Sequence, residues 1–203
     1  MKYPILILDT VGEVLSAGLF HQDKLKTLRL KGVETSGEYL LFKAVDRLLS
    51  GARLHLTDIK TVVVSSGPGR FTGIRIGMTF ASILSSQLRV STLAISGLEA
   101  LAFGTAGEKK CPVLAGYRGE KYYQSFERKS LHKAPRAVSK PAWSSKEDWE
   151  QKKLEIESRS FQIIEREPTP DDFLKAALFC LEKNQIPKFE PLYLKAAGYE
   201  RKK

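Results

Sequence analysis

The chain has 203 residues, 42% of them hydrophobic and 28% charged, which suits one large domain or two small ones with a real core and excludes a disordered polypeptide. No apolar run reaches the roughly 18 residues of a membrane span, and Ile5-Leu6-Ile7-Leu8 is too short for a signal-peptide core, so a cytoplasmic protein is expected. The net charge of +10 divides into +4 over residues 1–100 and +6 over residues 101–203, a diffuse excess that fits weak attraction to polyanions and a merely basic surface equally well.

Taken in chain order, Tyr3 to Asp9 and Leu15 to Phe20 read as two strands of an opening β-hairpin, with Gly12 in the turn free to take a positive φ. Glu34 to Glu38 starts a helix that Thr35 or Ser36 caps, and Leu41, Val45 and Leu48 form its apolar stripe, widened by Leu40, Phe42 and Leu49. Gly51 stops it. A short turn over Leu56 to Ile59 leads to a strand over 61–66. A glycine-rich loop, Ser65-Ser-Gly-Pro-Gly-Arg-Phe-Thr-Gly73, leads into a helix over 74–88. A strand over 89–95 and a helix capped by Ser96 follow. Gly104 to Lys110 marks a boundary between a first lobe, 1–104, and a smaller second lobe, 105–203.

The second part reads as a strand over 112–115, a hairpin-like run over 121–127 and a polar, weakly organised stretch from Arg128 to Ser160. A strand over 161–164 comes next. Thr169-Pro170-Asp171-Asp172 then gives a strong helix start: a cap, proline at the first helical position and acids on the positive end. Phe173, Leu174, Ala177, Leu178 and Leu181 form the buried face of that helix, and Pro187 and Pro191 end it. Leu192 to Ala197 closes the chain. Cys111 and Cys180 stand alone without metal-ligand spacing and read as buried thiols.

A glycine loop between strand and helix raises the question of phosphate binding. Neither standard pattern fits. Five residues after Gly67 stands Thr72 and no lysine follows, so there is no P-loop; Gly67-Pro-Gly69 meets its next glycine at 73, one residue late for a dinucleotide loop. Pro68 also removes a backbone donor. The following helix carries Gly73, Gly77, Ala81 and Ser85 four apart, a smooth ridge against which another element packs closely. Ile76, Phe80 and Ile83 lie to one side and Met78, Leu84 and Leu88 to another. A helix apolar around so much of its girth is covered on more than one side, either by the 35–50 helix or by a partner chain.

These residues carry a resemblance. SGPGRFTGIRIG, from Ser66 to Gly77, is similar to the GPGSFTGLRIG signature of the TsaB family, also called YeaZ. Ile7-Leu-Asp-Thr10 resembles that family's opening strand, Leu56-Thr-Asp-Ile59 precedes the third strand as the family has it, Arg118-Gly-Glu-Lys-Tyr122 resembles its middle motif and Pro191-Leu-Tyr-Leu-Lys195 its closing one. The resemblance implies an α/β ASKHA architecture, the two-lobed fold of actin, Hsp70 and sugar kinases, with mixed sheets flanked by helices. It also implies a protein without catalysis or cofactor of its own. Such a protein pairs with TsaD, the threonylcarbamoyltransferase of tRNA N6-threonylcarbamoyladenosine synthesis, in a complex that TsaE joins. It meets tRNA through that complex; pairing with a second copy through the apolar helix face is the expectation for the chain alone, and the short apolar runs give no membrane contact.

Departures from the family pattern sharpen the reading. Arg70 stands where the family has serine, Val11 replaces a serine hydroxyl, and Ala115, Gly116 and Tyr117 replace Asp-Ala-Arg. All weaken a nucleotide site and none touches the helix face. His21, His55 and His132 lack ligand spacing, so no metal site is expected. Any residual nucleotide contact falls on Asp9, Thr10, Gly67 and Gly69. The partner face is expected on Leu41, Val45 and Leu48 of the first helix and Gly73, Ile76, Gly77, Phe80, Ala81, Leu84 and Ser85 of the second. On that reading Ala81→Arg blocks pairing and spares the fold. The alternatives are a nucleotide-dependent kinase or transferase of the same fold, which needs an acid from the second lobe, and a metallopeptidase, which needs a metal motif.

Overall fold

A five-stranded sheet organises the first half. The computed structural model describes residues 4–31, 37–130 and 133–195. The expected cap at Thr35 or Ser36, His132 and the end of the closing segment lie outside those residues. Strands β1 (Ile5–Asp9), β2 (Leu15–His21) and β3 (Lys24–Leu30) form an antiparallel meander. After α1 (Gly37–Ser50), β4 (Thr61–Ser65) pairs parallel to β1. After α2 (Phe71–Leu88), β5 (Ser91–Ile95) pairs parallel to β4. The strand order is β3-β2-β1-β4-β5. Central strands buried on both faces read as unbroken apolar runs, which is why ILILD and TVVVS lack alternation.

Each face of this sheet has its own helices. Leu6, Leu8, Val62 and Val64 point to one side and pack with Leu41, Val45 and Leu48 of α1 and with Ile74, Ala81 and Leu84 of α2. Ile5, Ile7, Val63 and Leu93 point to the other. That second face is covered by α3 (Gly97–Gly104) and, from much later in the chain, by α5 (Pro170–Lys183) through Phe173, Leu174, Ala176 and Ala177. The boundary at residue 104 would assign α5 to the second lobe, yet α5 packs on the first sheet.

The second sheet is built around β6 (Lys109–Ala115). Along one edge of β6 run β7 (Lys121–Tyr123) and β8 (Phe126–Glu127), both antiparallel, so 121–127 is two short strands on one partner and not a hairpin closed on itself. Beyond them lie β9 (Arg136–Ala137), paired to β8, and β10 (Ala142–Ser144), paired to β7. α4 (Lys146–Ser158) follows, and β11 (Gln162–Glu165) pairs parallel to β6. The stretch 128–160, expected to be weakly organised, therefore holds two strands and a helix of 13 residues. Ser145 caps that helix by accepting from the Asp148 amide at 3.1 Å.

Helix α3 lies between the sheets and explains its all-round apolarity: Ala100 and Phe103 face the first sheet, while Leu98, Leu101 and Ala102 face Leu114, Tyr122 and Phe126 of the second. Ser96 caps it as expected, accepting from Glu99 at 3.1 Å. The two sheets flanked by helices are the mixed α/β architecture expected of the ASKHA fold. Other local expectations shift by a few residues. Gly12 does not take a positive φ; the hairpin after β2 instead places Gln22 and Asp23 there. α2 begins at Phe71, three residues before the expected start.

The helix start at Thr169 is realised as a full capping box with Asp172. Asp172 is also held by both guanidinium arms of Arg166, at 2.6 and 2.8 Å, and by the Thr169 amide at 2.8 Å. Gly104 makes room for it, since a Cβ there would lie 1.5 Å from its Oδ1. Burial alone would raise the Asp172 pKa, but the bonds from Arg166 and Thr169 outweigh it and hold the carboxyl below its usual range. A depressed carboxylate contributes stability above its unfolded pKa and loses it as pH falls through the lower folded value. Asp172→Asn is expected to cost about 1.5–3 kcal/mol at neutral pH and to flatten the loss of stability in acid, as read from urea melts at several pH values. An unchanged acid limb would remove Asp172 from that role.

Candidate functional site

The glycine loop lies where β4 ends and α2 begins, beside the end of β1. Its glycines are occupied by the chain itself. A Cβ on Gly69 would lie 2.3 Å from Cγ1 of Val11, one on Gly73 2.2 Å from the Thr10 carbonyl, and one on Gly77 2.6 Å from Oγ1 of Thr10. Thr10 donates its hydroxyl to the Gly73 carbonyl at 2.7 Å, and the Arg70 amide donates to the Val11 carbonyl at 3.2 Å. On the other side the Gly97 amide donates to the Gly67 carbonyl at 2.9 Å and the Leu192 amide to the Ser66 carbonyl at 2.8 Å. The loop is thus a packing device that seats α2 on β1. Thr10, Gly67 and Gly69, expected as residual nucleotide contacts, all take part in this packing.

Asp9 is buried at the end of β1, where the Val11 amide donates to its carboxylate at 3.2 Å. Burial pushes its pKa up to about 6, partly offset by bonds from Val11 and Ser65. The nearby charges are Glu167, from the segment between β11 and α5, which raises it further, and Arg29, which lowers it. Glu167 and Arg29 form an ion pair with each other. Neither Arg29 nor Glu167 belongs to a motif that the sequence shows. For a carboxyl whose folded pKa is raised, the native state binds the extra proton, so stability declines as pH rises from about 4 to about 6. Asp9→Asn is therefore expected to stabilise the chain at pH 7 by about 1–3 kcal/mol and to erase that decline in thermal melts. A destabilised variant would overturn the burial argument. Among the described residues no group of three or more His, Cys, Asp or Glu is placed to hold a metal ion.

The helix pair α1–α2 carries the other candidate. Of the ten residues expected on a partner face, Leu41, Val45, Leu48, Gly73, Gly77, Phe80, Ala81 and Leu84 are buried within the chain. The four-residue ridge of small side chains therefore faces the protein's own sheet, and Ser85 is half-buried beside it. Ridge spacing identifies a close approach but not which surface makes it.

The face that α1 and α2 leave open is displaced around the helix. A groove of about 410 Å³ is lined by Phe42, Phe71, Arg75, Ile76, Phe80 and Ile83, with Leu41 at its base. Ile76 and Phe80 were in the expected set. Phe42 is 61% exposed and Ile83 53%, unusual values for side chains of that size. Phe42 meets Phe80 edge-on with ring centroids 5.8 Å apart, and Phe71 meets Tyr193 at 4.9 Å. Arg75 lies over the Phe71 ring at 5.3 Å. Aromatic and aliphatic groups around an arginine have the composition of an interface core.

Fold and site together define an α/β protein of two helix-flanked sheets whose glycine loop beside Asp9 packs against its own chain and whose α1–α2 pair exposes Phe42 and Ile83. The family model of TsaD, tRNA N6-adenosine threonylcarbamoyltransferase, matches residues 38–168. The chain belongs to that family, and it is similar to the TsaB (YeaZ) proteins. It is 33% identical over 98 residues to the tRNA threonylcarbamoyladenosine biosynthesis protein TsaB of Bacillus subtilis, covering 48% of this chain and 43% of that one. It is 31% identical over 98 residues to the TsaB of Buchnera aphidicola, covering 48% and 46%. The match thus spans less than half the length of these curated relatives. The solved structure of YeaZ from Pseudomonas aeruginosa shares the fold, with a TM-score of 0.73 at 21% identity over 94% of this chain and 99% of that one.

Proposed function

We propose that this chain is a non-catalytic partner of a TsaD-type threonylcarbamoyltransferase in cytoplasmic tRNA N6-threonylcarbamoyladenosine synthesis. It binds TsaD through the α1–α2 groove, in a complex that TsaE joins. The observation that carries the reading is the exposure of Phe42 and Ile83 beside the buried Phe80 ring that Phe42 meets edge-on. Large apolar groups left in water on two adjacent helices favour burial against a second helix pair. The close packing of the glycine loop on Thr10 and Val11 and the burial of Asp9 support the non-catalytic part.

The test is co-purification with the TsaD of the same organism, sized by light scattering, for the wild type and for Phe42→Glu/Ile83→Glu. A wild-type complex lost in the double variant supports the reading. A complex that survives moves the interface elsewhere, and self-pairing without TsaD makes the groove a homodimer face. Hydrolysis of ATP by the isolated chain would favour the kinase-like alternative.

A further inference from the structure

We propose that the pocket at the C-terminal end of α3 is an anion site that takes a phosphate group. It lies between that helix end, the segment after β8 and the outer side of α5, and encloses about 380 Å³, within the roughly 300–1,000 Å³ range of small-molecule sites. Its walls include Phe103, Thr105, Arg128, Lys133, Lys175 and Phe179. It shares no residue with the α1–α2 groove or with the surroundings of Asp9, and it does not rest on the partner reading.

The pocket's cations are poorly satisfied by the protein. Nε of Arg128 is buried with no hydrogen-bond partner, and one arm of its guanidinium makes a single long bond, 3.5 Å, to the Phe103 carbonyl. Behind the Thr105 wall, Lys110 of β6 is fully buried and gives its ammonium to the Thr105 carbonyl. Among the described residues neither Lys110, Arg128 nor Lys133 forms an ion pair. Burial, and then the Arg128 charge, pushes the Lys110 pKa down to about 8.

Carboxylates on the neighbouring helix are already used. Asp171 pairs with Lys175 at 2.7 Å, and Asp172 pairs with Arg166. The half-buried Arg128 has no counter-charge among the described residues, and the buried Lys110 charge behind the wall has none either, so the arrangement favours an incoming anion. Two unpaired cations on one cavity, Arg128 and Lys133, the first a guanidinium with free donors, with the paired Lys175 beside them, suit a tetrahedral anion with several oxygens better than a single carboxylate. Phe103 and Phe179, with centroids 5.4 Å apart, give the cavity an apolar wall for the organic part of a phosphate ester.

The phosphate could belong to a free phosphorylated compound or to an RNA backbone, and the experiment separates them. Inorganic phosphate is titrated calorimetrically into the full-length chain at fixed ionic strength, followed by filter binding of unmodified tRNA. One phosphate site is expected in the wild type, weakened at least tenfold in Arg128→Gln and in Lys133→Glu. Lys133 is exposed, so that second variant keeps the fold if the first does not. Lys43→Glu, on α1 across the first sheet, is expected to leave phosphate binding unchanged. If tRNA binding falls in the same two variants and phosphate displaces tRNA, the source is the backbone. If tRNA binding is untouched while phosphate binding is lost, it is a free compound. Phosphate binding that is absent, or equal in wild type and variants, overturns the site.

Discussion

Ala81→Arg is expected to unfold the chain, with a loss of more than about 4 kcal/mol and no cooperative melting transition above room temperature. Ala81 has no exposed surface and sits on the inner side of α2, among Leu41, Ile74 and Leu84. An arginine there must either bury its guanidinium unpaired or push α2 off the sheet, and both costs exceed ordinary overpacking. The smaller change Gly73→Ala is expected to weaken the fold as well, by about 1–3 kcal/mol, because its Cβ would sit 2.2 Å from the Thr10 carbonyl, a backbone atom that cannot swing away. Circular dichroism melts of both variants decide the matter. A folded Ala81→Arg chain that merely fails to pair would restore the ridge as an outer face.

That reversal shows which features the sequence carried. Local signals with their own chemistry were legible: the Ser96 cap, the Thr169–Asp172 capping box, and the apolar runs of β1 and β4. The meaning of α2 was half legible. Its period located two apolar sides and a line of small residues, but period alone does not say which side meets the sheet. Ile76 and Ile83 lie on the outer side, Phe80 lines the groove yet is buried, and Phe42 of α1 is exposed beside them.

Elements with weak patterns were missed for physical reasons. Strand β3, KLKTLRL, is an exposed edge whose lysines guard it against further pairing, so its polarity hides it. Helix α4, KEDWEQKKLEIES, buries only Trp149 and Ile156, too few to show a stripe. The return of α5 to the first sheet, and the meeting of Arg29 with Glu167 across 138 positions, are products of topology that no local window contains.

If the proposed pairing with TsaD holds, Phe42→Glu combined with Ile83→Glu is expected to weaken it by about a thousandfold or more while leaving the monomer folded. Both side chains are more than half exposed, so their loss removes little from the core. The chief intramolecular cost is the edge-on Phe42–Phe80 contact, worth about 0.5–1.5 kcal/mol. At an interface the same groups act as anchors. Truncating a hot-spot residue costs about 2 kcal/mol or more, and two of them reach about three decades in Kd at 1.4 kcal/mol per decade. Two buried carboxylates facing an apolar partner surface would add desolvation to that loss. Arg75→Ala separates the contributions, since Arg75 stacks on Phe71 at the rim of the groove and is expected to cost less than either anchor. Light scattering of each variant with TsaD, beside a thermal melt of each monomer, reads both quantities on the same samples. A double variant that binds as tightly as the wild type would mean that the exposed aromatic face is not where TsaD sits. Loss of binding without loss of the melt would assign these two side chains to the interface and leave Leu41, Val45 and the small-residue ridge to hold α1 and α2 on the sheet.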